Sequence, residues 1–319
     1  MSLMKLQCLS HSPLMGWVDP DDGVASSARE AVDVLKDDLE RFDPELIFLF
    51  APDHYNGFFY DLMPSFCIGA QAHSIGDYGW LDGDLSVPEE LAAQCVAAVQ
   101  AADVDCAISY RMQVDHGFAQ PLQLLTGALD RYPVVPIFIN CLAEPMPSFK
   151  RVRLLGHAVG QYAASLGKRV LFLGSGGLSH NPPAPKLADA GPEVRERLTG
   201  GGRNLSTADR AARQQKTFDA ARQFATGDSS LHPINPDWDG EFLETLKRRR
   251  LEDLDGWVDA RVSQEAGGSA HEVKTWVAAN AAMQAATNGR YRVHSDYYRA
   301  IPEWIAGFAT LQGNPEPGQ

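Results

Sequence analysis

A chain of 319 residues, 45% hydrophobic and 22% charged, holds enough apolar material for one sizeable core, and α/β enzymes of this length are often a single domain. A formal net charge of −13 without a Lys/Arg stripe excludes a nucleic-acid footprint. Five cysteines without a CxxC pair read as reduced thiols of a cytoplasmic protein, and no apolar run approaches the roughly 20 residues that span a membrane.

Met1, Ser2 and Leu3 ahead of Met4 read as a leader outside the fold, with no signal-like pattern. A first strand over 5–9 ends in Ser10-His11-Ser12-Pro13. The spacing of Ala28, Ala31, Val32, Leu35 and Leu39 predicts a helix over 26–42, closed by Pro44. The six apolar residues of 46–51 predict a buried strand that stops at Pro52 and presents Asp53 and His54. Residues 57–79 are rich in aromatics, Gly and Pro without a period, with room for a hairpin near 66–70 or a pocket wall. A helix over 89–102 leads to a strand over 106–110 and the segment Met112-Gln113-Val114-Asp115-His116-Gly117. A short helix over 121–129 and a buried strand over 134–140 follow.

A helix over 149–166 stops at Gly167, and a strand over 169–174 runs into a Gly-rich loop before His180. This alternation predicts an α/β protein, a single-domain α/β/α sandwich with a central, mostly parallel or mixed sheet and a helical C-terminal part. Residues 184–235 read as a polar, partly helical, lid-like insert with a helix over 207–225, too poor in apolar residues for a core of its own. Helices over 240–250, 269–287 and 302–310 then close one catalytic domain spanning 1–319, with 313–319 as a loose tail.

Four of the nine histidines, His11, His54, His116 and His180, follow strand-like runs. In a mostly parallel sheet such loops open on one edge, where ligands bind, so the four can converge. Imidazole ligates metals and titrates near neutrality, and two His with one carboxylate form the facial arrangement of non-haem Fe(II) sites. Asp53 and Asp115 each directly precede a His and are better placed to orient a ligand than to share its metal. Glu272, in Ser269-Ala270-His271-Glu272, can complete the ligand set, or close a capping box from the third helical position; both readings stand. His73, His157, His232, His271 and His294 lack the post-strand setting and read as structural. The glycines of 174–177 have neither P-loop nor dinucleotide spacing and read as room for close approach, and no G-x-S-x-G elbow supports a Ser–His hydrolase at Ser175 or Ser179.

Six segments together resemble one family: LSHSPL at 9–14, LFAPDHYNGFFYD at 49–61, MQVDHGFAQPL at 112–122, LFLGSGGLSHNPP at 171–183, HEVKTWVAA at 271–279 and IPEWIAGF at 301–308. It is the type III extradiol catechol dioxygenases, the superfamily of the protocatechuate 4,5-dioxygenase catalytic subunit. The resemblance implies Fe(II) held by His11, His54 and Glu272, with His116 and His180 as the acid–base pair. It also implies a catechol and O2 as substrates and a cytoplasmic homo-oligomer. A carboxylate on the substrate side chain would be met by a cation or by backbone donors; Arg290, Arg292 and Arg299 are available but read as surface charge, and none is assigned. A Zn2+-dependent hydrolase using the same histidines, and a non-enzymatic relative that binds a protein, are the alternatives.

Overall fold

The apolar runs become the centre of a sheet. The computed structural model describes residues 3–316. Its first half contains β1 (Met4–Leu9), α1 (Asp22–Phe42), β2 (Leu46–Ala51), β3 (Phe66–Gly69), β4 (Ala72–Ile75) and β5 (Asp82–Asp84). There follow α2 (Glu89–Ala101), β6 (Ala107–Ser109), β7 (Met112–Val114), α3 (His116–Thr126), β8 (Val134–Ile139), α4 (Phe149–Ser165) and β9 (Val170–Ser175). The second half contains α5 (Pro192–Leu198), α6 (Thr207–Ala225), α7 (Pro236–Lys247), α8 (Asp259–Ala266), α9 (Val273–Ala286), β10 (Tyr291–Ile301) and β11 (Ala306–Pro315).

The main sheet has eight strands in the order β10-β11-β1-β9-β2-β8-β3-β6. Its centre is parallel, β1 and β2 each pairing with β9 and β2 also with β8, whereas β3 and β11 run antiparallel to their inner neighbours. Parallel strands covered on both faces read as continuous apolar runs, as β2 does. Leu46, Phe48 and Phe50 enter the core shared with α2, α4 and α9, while Ile47, Leu49 and Ala51 enter the one shared with α1 and α3. Burying each such Leu, Ile or Phe side chain stabilises the fold by about 1.5–3 kcal/mol. The predicted mixed-sheet α/β/α sandwich is therefore the architecture found. No helix among the described residues is long and apolar enough to cross a membrane.

Helix α9 packs directly on α4 because Gly156 and Gly160 have no Cβ; one there would lie 2.2 Å from the Ala278 oxygen and 2.1 Å from that of Ala282. This close approach seats the start of α9, and with it Glu272, at the sheet edge.

Several expectations need correction. The strand expected over 106–110 is β6, but the segment after it also holds a strand, β7, which joins β4 and β5 in a separate three-stranded sheet. For the same reason β3 and β4 form no hairpin with each other. The helix placed at 121–129 starts at His116, since the Asp115 carboxylate accepts the Gly117 N–H at 2.9 Å and caps it. Residues 302–310 are not a helix: a single tight turn, Pro302–Trp304, separates β10 from β11. Strand β11 places Phe308 in one core and Ala309 and Leu311 in the other, and pairs with β1 from Leu6↔Gly313 to Leu9↔Thr310. A period-2 pattern closing a sheet edge therefore replaces both the last helix and the first residues of the loose tail. Residues 317–319 of that tail, and Met1 and Ser2 of the leader, lie outside the described residues.

Candidate active site

β1, β9 and β2 are adjacent and parallel, so the loops carrying His11, His180 and His54 leave the same sheet edge. His116 reaches the same place by another route, from the capped start of α3 behind the small sheet. The ring centres of His54 and His116 are 4.4 Å apart, and His11 lies 5.5 Å from His54 and 5.4 Å from His116. His54 Nε2 and His180 Nε2 are each 3.1 Å from Glu272 Oε1, and His11 Nε2 is 3.3 Å from Oε2.

Each imidazole is anchored through its other nitrogen. His11 Nδ1 lies 2.9 Å from Ser175 Oγ, whose own hydroxyl donates to the Gly117 carbonyl at 2.7 Å, so the imidazole is the donor. His54 Nδ1 is 3.1 Å from Asp115 Oδ2, His116 Nδ1 is 2.6 Å from Asp77 Oδ2, and His180 Nδ1 is 2.8 Å from the Leu178 carbonyl. Carboxylates and carbonyls accept, so every Nδ1 carries a proton and the Nε2 atoms are the ones left for chemistry.

Glu272 lies in a short turn, Ala270–Glu272, ahead of α9, with no side-chain cap at Ser269. Its Oε2 accepts the Gly177 N–H at 3.0 Å, while the Ser269 N–H goes to the His180 carbonyl at 3.3 Å. The capping-box reading is thus overturned: the carboxylate is drawn to three imidazoles and an amide. Gly177 gives the room expected of the loop, since a Cβ there would lie 2.9 Å from the His180 ring. Ser175 sits beneath His11 as an acceptor and Ser179 donates to Asp239 Oδ2 at 2.7 Å, so both hydroxyls are already engaged.

The acidic residues serve different partners from their neighbours in sequence. Asp115 braces His54, and Asp77 braces His116. Asp53 accepts the N–H groups of Asn56, Gly57 and Phe58 at 3.1, 2.9 and 3.1 Å, shaping the turn after His54 and not touching its ring. Asp77, packed under Tyr78 beside His116, was missed because 57–79 has no readable period; only the structure supplies it.

Charge is tightly organised. Burial drives His11 down to about 3 despite the nearby Glu272, so it is neutral near pH 7. Burial also opposes charge on His54 and His180, but Asp115 and Glu272 carry His54 well above its ordinary value, and Glu272 raises His180. Burial opposes the Glu272 carboxylate too, yet His180 and His11 hold it well below the usual range. Burial, with Asp115 beside it, pushes Asp53 up to about 7.

All four histidines and Glu272 line one cavity of about 750 Å³, roofed by α5 and α6. Arg213 of α6 donates to the His54 carbonyl at 2.8 Å, and Thr217 Oγ1 lies 3.2 Å from the Tyr78 hydroxyl. Arg210, Arg213 and Thr217 follow a spacing of three and four, which puts them on one helical face. Arg290, Arg292 and Arg299 are exposed on or beside the β10–β11 hairpin and do not line the cavity.

The donors suit a metal ion. Nitrogens of His11, His54 and His116 lie within 4.8 Å of one another, and a second such group joins Asp77, Asp115 and His116. Of the neighbouring donors, Glu272 adds the one carboxylate that touches His11 and His54 together, which matches the two-His, one-carboxylate pattern with each His held from behind.

Comparison with known proteins gives a consistent relationship. The profile of the family described as "Catalytic LigB subunit of aromatic ring-opening dioxygenase" matches residues 5–309. The chain is 57% identical over 309 residues to the 2,3-dihydroxyphenylpropionate/2,3-dihydroxicinnamic acid 1,2-dioxygenase 1 of Pseudomonas putida, covering 97% of this chain and 98% of that one. It is 57% identical to the corresponding dioxygenase of Paraburkholderia xenovorans (97% of each chain) and 53% to that of Klebsiella pneumoniae (98% of each). The crystal structure of the uncharacterized protein JW3007 from Escherichia coli K12 shares the fold, with a TM-score of 0.53 at 15% identity over 97% of this chain and 99% of that one.

Proposed function

This chain belongs to the family of catalytic LigB subunits of aromatic ring-opening dioxygenases, and from that premise we propose that it is an Fe(II)-dependent extradiol enzyme acting on 2,3-dihydroxyphenylpropionate and 2,3-dihydroxycinnamate. With 2,3-dihydroxyphenylpropionate the product is a linear, yellow 2-hydroxy-6-oxo-nonadienedioate that carries both oxygen atoms of O2. The observation that supports this best is the approach of His11 Nε2 and His54 Nε2 to one buried carboxylate, Glu272, with each Nδ1 already tied down.

In this reading His11, His54 and Glu272 hold the iron. A bound Fe(II) would supply the meeting point at which electrons pass from the diol to O2. His116 gives its Nδ1–H to Asp77 and so presents Nε2 to a diol hydroxyl, whose proton it takes. His180, held toward its protonated form by Glu272, gives a proton from Nε2 as the ring opens. Two imidazoles in different electrostatic settings divide the work of base and acid. Asp115 holds the His54 ring in place, and Asp53 holds the turn that carries it.

The reading extends to the whole chain as one catalytic domain, with 184–235 as an insert covering the cavity, in a cytoplasmic homo-oligomer. Neither the hydrolase nor the protein-binding alternative has an observation of its own, whereas the family match and the similar curated enzymes favour ring opening. The deciding experiment is anaerobic loading with Fe(II), then 2,3-dihydroxyphenylpropionate and air, following visible absorbance and O2 consumption together. Yellow product with equimolar O2 uptake is expected. Bound iron with neither colour nor uptake overturns the proposal.

A further inference from the structure

Three arginines border the histidine cavity, Arg197 on α5 and Arg210 and Arg213 on α6. All three are half-buried; of the carboxylates that also border it, Glu193, Glu196 and Asp209 are exposed, and Asp77 and Glu272 are buried against the histidines. Among the described residues no carboxylate lies within ion-pair distance of any of the three. Elsewhere arginines at comparable exposure are paired, as Arg153 is with Asp255 at 2.6 Å.

Their hydrogen-bonding capacity is largely unspent. A guanidinium has five N–H donors in a planar fork. Arg213 uses one on the His54 carbonyl at 2.8 Å, and Arg210 reaches Asn56 Oδ1 only at 3.5 Å. Burial and the nearby Arg213 work against the charge of Arg197, and the exposed Glu193 offsets them only in part. The face of α6 that carries Arg210 and Arg213 is the face turned to the site, since Arg213 touches the His54 backbone and Thr217 touches Tyr78, whose ring packs on His116 at 5.2 Å. A protein of net charge −13 repels anions on the whole, and the three arginines set a local group of cations against that field on the α5–α6 side of the cavity.

We propose that Arg197, Arg210 and Arg213 form a carboxylate-binding subsite, which selects catechols whose side chain ends in an anion and orients the ring beside His54. This rests on the ring-opening reading above and adds the residues that recognise the substrate side chain. A planar fork meeting a carboxylate in two parallel hydrogen bonds gives geometry as well as attraction, which a lysine in the same place would not.

The test compares 2,3-dihydroxyphenylpropionate with 3-propylcatechol, a neutral ring of similar shape, in the Fe(II)-loaded wild type and in Arg197→Gln and Arg210→Gln. Arg213 is left intact because it also holds the loop of His54. The ratio of kcat/KM for the acid to that for 3-propylcatechol is expected to fall roughly 10- to 100-fold in the variants, chiefly through KM for the acid. An unchanged ratio in both variants, whether through equal losses or none, overturns the subsite while ring opening stands. Wild-type enzyme that opens 3-propylcatechol as well as or better than the acid also removes the subsite but not the reaction. Failure of the iron-loaded wild type to open either ring overturns the ring-opening reading and the subsite with it.

Discussion

Asp115 holds His54, not His116, the histidine beside it in sequence. Its Oδ2 accepts the His54 backbone N–H at 2.8 Å and lies 3.1 Å from His54 Nδ1, while its Oδ1 caps α3 through Gly117. One carboxylate thus couples the loop after β2 to the helix that presents His116. In Asp115→Asn the cap can persist but the charge behind His54 is lost, and such outer partners typically contribute 10–100-fold to metal affinity, roughly the loss expected here. Anaerobic Fe(II) titration against a competing chelator measures it, and wild-type affinity would remove Asp115 from the metal site.

The two proposed roles of the histidines separate cleanly. His54→Ala should purify without stoichiometric iron. His116→Ala and His180→Ala should keep it and lose turnover by about 10²–10⁴-fold, the usual size of general acid–base catalysis. Asp77→Asn should retain iron, lower kcat less than His116→Ala does, and move the pH–rate profile, because the tautomer of His116 is then no longer enforced. Full turnover in either histidine variant would end that assignment.

Gly177→Ala offers a steric test of His180. The new Cβ would sit 2.9 Å from the ring carbon and 3.0 Å from Nδ1, so the imidazole must shift away from the Leu178 carbonyl and from Glu272. Iron content and melting temperature close to wild type are expected, with kcat reduced at least about tenfold, since misplacement of a proton donor by a fraction of an ångström is costly. Normal kcat would mean that His180 does not act from this position.

Stability of the metal-free protein should peak near neutrality. His11 and His271 are pushed by burial to about 3, below their ordinary 6.5, so between those values the unfolded chain binds more protons and stability falls as the pH drops. Glu272, held low, adds to the loss once the pH falls through its folded value. His54 and His180 are raised, so the stability they contribute is present below 6.5 and is lost as the pH rises through their folded values. Melting temperatures across pH 4–9 at constant ionic strength, taken roughly around the ordinary His value, check both limbs. Metal loading requires neutral His54, so it should release protons and tighten as pH rises, which calorimetry in buffers of different ionisation enthalpy reads directly.

Local pattern carried much of this protein. The apolar runs of β1, β2, β8 and β9 and the one-sided spacing of α1 are short-range features, legible because a buried parallel strand or an amphipathic helix advertises its own environment. His11, His54, His116 and His180 were legible as a set because each follows a strand-like run. Glu272 was not separable from a helix cap on local grounds, as both roles place the same residue at the same spacing.

What the chain alone determined was the α/β alternation and the residue types available for chemistry, because both follow from side-chain size, polarity and period along the backbone. What only the tertiary structure decided was who partners whom. Asp115 serves His54, Asp77 serves His116, the Glu272 carboxylate points to His11, His54 and His180, and the last strand closes beside the first. Those pairings join residues far apart in sequence, and a long-range contact leaves no periodic trace at either of its ends.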